Sequence, residues 1–185
     1  MNGGYTVRKN IVVLSGSPRK GGNTDMLCVA FTIGAENAGN SVTLFRTADM
    51  KIGGCLGCGH CFKEKGICIQ KDDMPPVLDA LRKADALVLA SPIYYWSVTA
   101  QLKLAIDRMY PLISVKAMIK RVGMLLTCGN KNSDVNEGAV FMLNRLCRAY
   151  GWENAGIVTA AGLHNIGEIA GREELEEAAM LGGKM

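Results

Sequence analysis

Four thiols crowd one stretch of the chain: Cys55-Leu56-Gly57-Cys58-Gly59-His60-Cys61 and then Cys68, a C-x2-C-x2-C-x6-C run. Thiolates at this density, on a segment loosened by Gly54, Gly57, Gly59 and Gly66, can wrap a 4Fe-4S cube. Four cysteines also satisfy a tetrahedral structural zinc, and the run is equally compatible with metal-free thiols or a labile disulfide. The bacterial ferredoxin run is related but differs, its fourth cysteine sitting closer and followed by proline.

A second stretch with chemistry in it runs from Ile11 to Thr24, IVVLSGSPRKGGNT. An apolar strand there breaks into small, hydroxyl-bearing and glycine residues with two cations, and an amphipathic helix follows. A tight strand-to-helix loop gathers unpaired backbone N–H groups and the positive end of the helix dipole at one point, which is a site for an anion. Ser17, Asn23 and Thr24 add neutral donors, and Arg19 and Lys20 add charge. Gly16 and Gly21 have the outer spacing of a P-loop, but Gly22 and Asn23 occupy its Lys and Ser/Thr positions. Pro18 stands at the second glycine of the dinucleotide fingerprint. A single terminal phosphate is what remains, against the alternative of a plain glycine-rich turn.

The elements that must position these residues alternate. Strands are predicted over Asn10–Ser15, Ser41–Arg46, Asp85–Ala90, Arg121–Cys128 and Asn154–Ala161. Helices are predicted over Thr24–Ala38 (closed by Gly39), Met74–Lys83 (capped by the Asp72-Asp73 pair), Val98–Ser114 (kinked or shortened by Pro111), from Ser133 or Asp134 to Tyr150, and from Glu173 onwards. The run Ala-Leu-Val-Leu-Ala at 86–90 is apolar without alternation, which suits a parallel strand covered on both faces. Such alternation means an α/β fold around a parallel sheet. The cysteine-rich segment, about 52–73, reads as an insertion in a single domain spanning 1–185.

Composition narrows the classes. With 185 residues, 49% of them hydrophobic, the chain can bury a substantial core. The net charge of +4 is small and scattered, and no basic cluster interleaves with aromatics, so no nucleic-acid partner is expected. Tyr94, Tyr95 and Trp96 stand together in one loop. No apolar run is long enough to span a bilayer, and Met1 to Asn10 lacks the apolar core of a signal peptide. A cytoplasmic location is expected, where seven cysteines are thiols or metal ligands rather than disulfides.

Three motifs in order carry a resemblance that covers nearly the whole chain. Gly16-Ser17-Pro18-Arg19-Lys20-Gly21-Gly22-Asn23-Thr24 resembles the FMN-phosphate loop of the flavodoxin-like NAD(P)H-dependent FMN reductases. Ser91-Pro92-Ile93-Tyr94-Tyr95-Trp96, with Gln101-Leu102-Lys103 and Asp107-Arg108, resembles that family's second flavin loop and following helix. The cysteine run between them is similar to the branch that includes the iron-sulfur flavoproteins. The resemblance implies a flavodoxin-like three-layer sandwich with a five-stranded parallel sheet of order 2-1-3-4-5, and FMN at the carboxyl ends of strands one and three. It assigns flavin contacts to Ser15, Ser17, Pro18, Arg19, Asn23 and Thr24 in the first loop. Ser91, Pro92, Ile93, Tyr94, Tyr95 and Trp96 follow in the second, and Thr127 and Gly129 in a third. A cluster would fall to Cys55, Cys58, Cys61 and Cys68.

The implied activity is electron transfer from NAD(P)H through FMN to a quinone, flavin, nitroaromatic or redox-protein acceptor, in a homodimer or homotetramer. Flavin N5 carries the hydride chemistry, so no catalytic side chain is required. A flavodoxin-type electron carrier is the alternative, against which the pI near 8.7 counts, and a metal-bound redox-sensing module is another. The aromatics in the second loop suit a stacking wall, a lid or simple packing. Cys28, Cys128 and Cys147 read as inert buried thiols, and His164 as a solvated loop histidine with a substrate-side role as the minority reading. Lys103, Asp107 and Arg108 read as an exposed helical pair or dimer contacts.

Overall fold

The computed structural model describes residues 8–115 and 117–185. The polar start through residue 7, including most of the segment read for a signal peptide, lies outside the described residues. In chain order the elements are β1 (Asn10–Ser15), α1 (Asn23–Asn37), β2 (Ser41–Arg46), α2 (His60–Lys63), α3 (Met74–Lys83), β3 (Ala86–Tyr94), β4 (Ser97–Val98), α4 (Ala100–Asp107), α5 (Pro111–Ser114), β5 (Arg121–Thr127), α6 (Glu137–Tyr150), β6 (Glu153–Ala160) and α7 (Glu173–Lys184). The sheet order is β2-β1-β3-β5-β6, all parallel, with β4 paired antiparallel to β3. This is the flavodoxin-like order the resemblance implies, with one short extra strand.

Alternation along β1 explains the three layers. Val12 and Leu14 join a core with α3, α4 and α6 on one face. Ile11 and Val13 join the other core, with α1 and α7. Because successive strand residues point to opposite faces, a strand apolar at every position needs helices on both sides. Gly39 closes α1 as expected, in a left-handed conformation at φ +86° with its N–H on Glu36 O at 2.9 Å.

Three predicted elements change. The third strand does not stop at Ala90 but runs on through the 91–94 motif to Tyr94 and turns back in β4. The reason is pairing: Ser91 and Pro92 lie beside Leu126 and Thr127 of β5, so the ladder extends into the motif. The helix predicted over 98–114 is two pieces, since Pro111 opens α5 and α4 ends at Asp107. Thr99 caps α4, its side chain accepting from Leu102 N. At the start of α3 the carboxylate bonded to Met74 N belongs to Asp72, at 3.1 Å, while Asp73 accepts from Lys51 N at 2.7 Å.

α1 and α7 pack backbone to backbone. A Cβ on Gly34 would lie 1.9 Å from Ala179 O, and one on Gly182 would lie 2.1 Å from Phe31 O. Only glycine permits that approach at either position.

Candidate functional site

The carboxyl ends of β1, β3 and β5 open onto one cleft of about 170 Å³, lined by Ser17, Arg19, Asn23, Thr24, Pro92, Ile93, Tyr94, Thr127, Cys128, Gly129, Leu163 and His164. At the end formed by the loop after β1, the N-terminus of α1 borders the cleft through Asn23 and Thr24, with first-turn N–H groups that have no partner within the helix. Arg19 reaches over the opening with Nη1 on His164 O at 2.8 Å. Behind the loop, Arg46 at the end of β2 pairs with Asp25 and donates to Ser17 O at 3.1 Å. Burial would lower the Arg46 pKa, but the Asp25 and Asp49 carboxylates outweigh it and raise it, so the guanidinium stays charged. Lys20, expected to add charge to the loop, instead pairs with Asp49 at 3.3 Å.

Two of the predicted loop donors are already engaged. Asn23 Oδ1 accepts from Gly167 N and Ile169 N at 3.0 and 3.3 Å, and its Nδ2 donates to Asn165 O at 2.8 Å. Asn23 thus holds the 162–171 loop over the cleft. Thr24 and Thr127 share a hydroxyl–hydroxyl hydrogen bond of 2.8 Å that ties the first and third loops together. Ser15 is fully buried and Ser91 also, its hydroxyl accepting from Thr99 N at 2.9 Å. Neither they nor Pro18 line the cleft.

A second, more apolar cleft of about 270 Å³ adjoins the first and shares Ile93, Cys128 and Gly129 with it. Tyr95, Trp96, Asn130 and Val135 complete its wall. Tyr95 and Trp96 are the two turn residues between β3 and β4, at φ +49° and +61°. A two-residue hairpin turn of this kind (type I′) has positive φ at both positions, which Asn and Gly normally supply. Here two aromatics hold that strained conformation, 93% and 63% exposed, with ring centroids 6.3 Å apart.

A fourth loop brings Leu163 and His164 to the cleft; the sequence reading gives His164 a substrate-side role only as the minority reading and does not single out Leu163. Cys128 is buried and its thiol is pushed up by burial, as expected for an inert residue, although it stands between the clefts. Burial, with the Asp25 charge adding, pushes the Cys28 thiol up to about 12, and burial raises Cys147 as well.

The neck of the cysteine loop is zipped by Gly53 N on Asp72 at 2.9 Å and by Gln70 Nε2 on Gly54 O at 3.0 Å. All four cysteines of the run line one pocket, with His60, Gln70, Arg108 and Tyr110 among its other residues. Cys55 and Cys58 are exposed, and Cys61 and Cys68 half-buried. Among the described residues, no three His, Cys, Asp or Glu side chains converge as a single metal ion requires. Arg108 corrects the sequence reading. Lys103 and Asp107 do form an exposed pair at 2.6 Å, but Arg108 is 1% exposed. Its guanidinium lies on Asp72, on Gly53 O and on Cys68 Sγ.

A doubly wound parallel sheet with a cleft at the carboxyl ends of its strands, at the switch point, defines a flavodoxin-like protein. Residues 9–148 match the family described as NADPH-dependent FMN reductase. An iron-sulfur flavoprotein of Archaeoglobus fulgidus is 37% identical over 174 residues, covering 94% of this chain and 77% of the relative. Another from Methanocaldococcus jannaschii is 32% identical over 130 residues, 70% of this chain and 67% of the relative. The fold is shared with a NAD(P)H:quinone oxidoreductase from Methanothermobacter marburgensis, at TM-score 0.77, 20% identity and 96% of each chain. It is also shared with an azoreductase from Bacillus anthracis, at TM-score 0.72, 15% identity, 96% of this chain and 100% of the other. The chain belongs to the NADPH-dependent FMN reductase family and is an FMN-dependent oxidoreductase.

The residues present fit the flavin. A Cβ on Gly129 would stand 3.0 Å from the His164 ring, so bare backbone forms one wall of the cleft. Arg19 and the α1 N-terminus suit the phosphate, and Pro92, Ile93 and Leu163 suit a flat apolar ring. The cysteine loop offers an all-sulfur donor set around one pocket, which fits a cluster that needs each thiolate on a different iron.

Proposed function

We propose that this protein takes electrons from NAD(P)H on FMN and delivers them to a quinone, a flavin, a nitroaromatic or a small redox protein. The observation that carries this reading is the pair of joined clefts, an anion loop at one end and an exposed aromatic turn at the other. Bound FMN would supply hydride acceptance at N5 and release of electrons singly or in pairs. The chain's part is to bind and orient. Arg19, Ser17 and the α1 N-terminus take the phosphate, Thr24 and Thr127 brace the two loops, and backbone at 92–94 and 129 borders the ring. Tyr95 and Trp96 wall the second cleft, where a planar acceptor or nicotinamide would stack.

We further propose that Cys55, Cys58, Cys61 and Cys68 hold a 4Fe-4S cluster, which supplies one-electron traffic. The exposed Lys51, Lys63, Lys65 and Lys71 outnumber the acidic Glu64 and Asp73 around the loop, and Leu56, Phe62, Ile67 and Ile69 are exposed beside them. That surface suits an acidic ferredoxin-like partner.

Protein purified without oxygen should show flavin absorption with about four irons and four sulfides per chain, and should oxidise NADH or NADPH when a quinone is supplied. Flavin without iron would reduce the reading to a simple FMN reductase. Zinc without flavin would overturn it.

A further inference from the structure

Arg108 is among the largest fully buried side chains of the protein. A buried guanidinium is costly unless its charge and its N–H groups are met. Nη1 donates to Asp72 Oδ2 at 2.6 Å and to Gly53 O at 2.9 Å. Nη2 donates to Asp72 Oδ1 at 3.1 Å and to Cys68 Sγ at 3.4 Å. Nε is buried with no partner. Asp72 balances the charge, and Gly53 O fastens the loop neck. Neither role requires a contact with sulfur, and Cys68 is the one thiol of the four that the guanidinium touches.

An N–H donor on a ligating sulfur, above all a charged one, stabilises the more negative of two oxidation states. We propose that Arg108 is a positioning residue that orients Cys68 and, by its N–H···S bond, raises the reduction potential of the centre held by the cysteine loop. This rests on the reading that the loop holds a cluster. The cluster gains one electron from an external donor on reduction, and the added negative charge is what the guanidinium stabilises. Asp72 acts in the opposite sense, since its carboxylate offsets part of that charge.

The test compares wild type with Arg108→Lys, Arg108→Gln and Asp72→Asn, all purified without oxygen. Iron and sulfide content, circular dichroism and a redox titration followed by electron paramagnetic resonance are measured, with the FMN potential in each sample as internal reference. The expected result is similar iron content in all four proteins. The cluster potential falls in Arg108→Gln, falls less in Arg108→Lys, which keeps the charge without the fork, and rises in Asp72→Asn, with the flavin potential unmoved. Iron retained with unchanged potentials overturns the proposal alone. Parallel loss of iron in Arg108→Gln and Asp72→Asn also overturns it, since the pair would then be a clamp on the loop neck and nothing more. Wild-type protein with FMN but no iron or sulfide overturns the cluster reading, and the proposal with it.

Discussion

On the proposed reading Arg19 should contribute most to phosphate affinity, because it lines the cleft while Lys20 and Arg46 are paired with carboxylates. A hydrogen bond to a charged group contributes about 1.5–3 kcal/mol, so Arg19→Ala should raise the FMN dissociation constant by about 10- to 100-fold. Quenching of flavin fluorescence on binding measures it, and riboflavin, which lacks the phosphate, should show no such change. Asp72 belongs at the same scale. Burial alone would raise its pKa, but the Arg108 hydrogen bonds and the N–H groups of Gly53 and Met74 outweigh this and hold it at about 2, against 3.8 ordinarily. A carboxyl lowered in the native state stabilises the fold above its ordinary pKa, and that contribution is lost as pH falls from about 5 towards 2. Wild-type melting temperature should therefore drop more steeply over that window than that of Asp72→Asn, and equal slopes would refute the coupling.

The helix pair α1 and α7 tests packing at the scale of the element. With carbonyl oxygens standing where a Cβ would go, Gly34→Ala or Gly182→Ala must push the helices apart. Overpacking of this kind costs about 1–3 kcal/mol, which urea denaturation should show, with FMN affinity preserved if the cleft on the sheet's carboxyl edge is unaffected. The β3–β4 hairpin makes the opposite prediction. Placing Asn at 95 and Gly at 96 supplies residues that accept positive φ, and relief of strain of about 1–3 kcal/mol per position should stabilise the fold. The same double variant removes the aromatic wall, so kcat/KM for a quinone should fall while FMN binding is kept. A more stable variant with undiminished turnover would count against a role for the turn in acceptor binding.

At the scale of the whole molecule, the cleft draws on loops after β1, β3, β5 and β6, so a ligand there ties together elements from both halves of the sheet. A ligand that binds only the native state at 100 times its dissociation constant adds about 2.7 kcal/mol. Stripped protein should accordingly melt lower than FMN-loaded protein, and the gap should shrink in Arg19→Ala. The parallel strands and the strand-to-helix loop after the first of them were legible in the chain, while the order of the sheet came from the resemblance to the flavodoxin-like reductases. Apolar runs such as 11–14 and 86–90 encode buried parallel strands, and the anion loop is local, its donors all within a few residues of a strand end. The four-cysteine run was legible for the same reason. Contacts that depend on residues far apart were not. Asn23 reads as a phosphate donor until the 162–171 loop folds back to occupy its amide. Arg108 reads as a surface charge because Asp107 and Lys103 beside it are exposed, and only the packing of α4 against the neck of the cysteine loop buries it on Asp72 and Cys68. Side-chain type and local spacing determine what a residue can do, whereas the partner it meets across 36 or more positions is chosen by the closing of the tertiary structure.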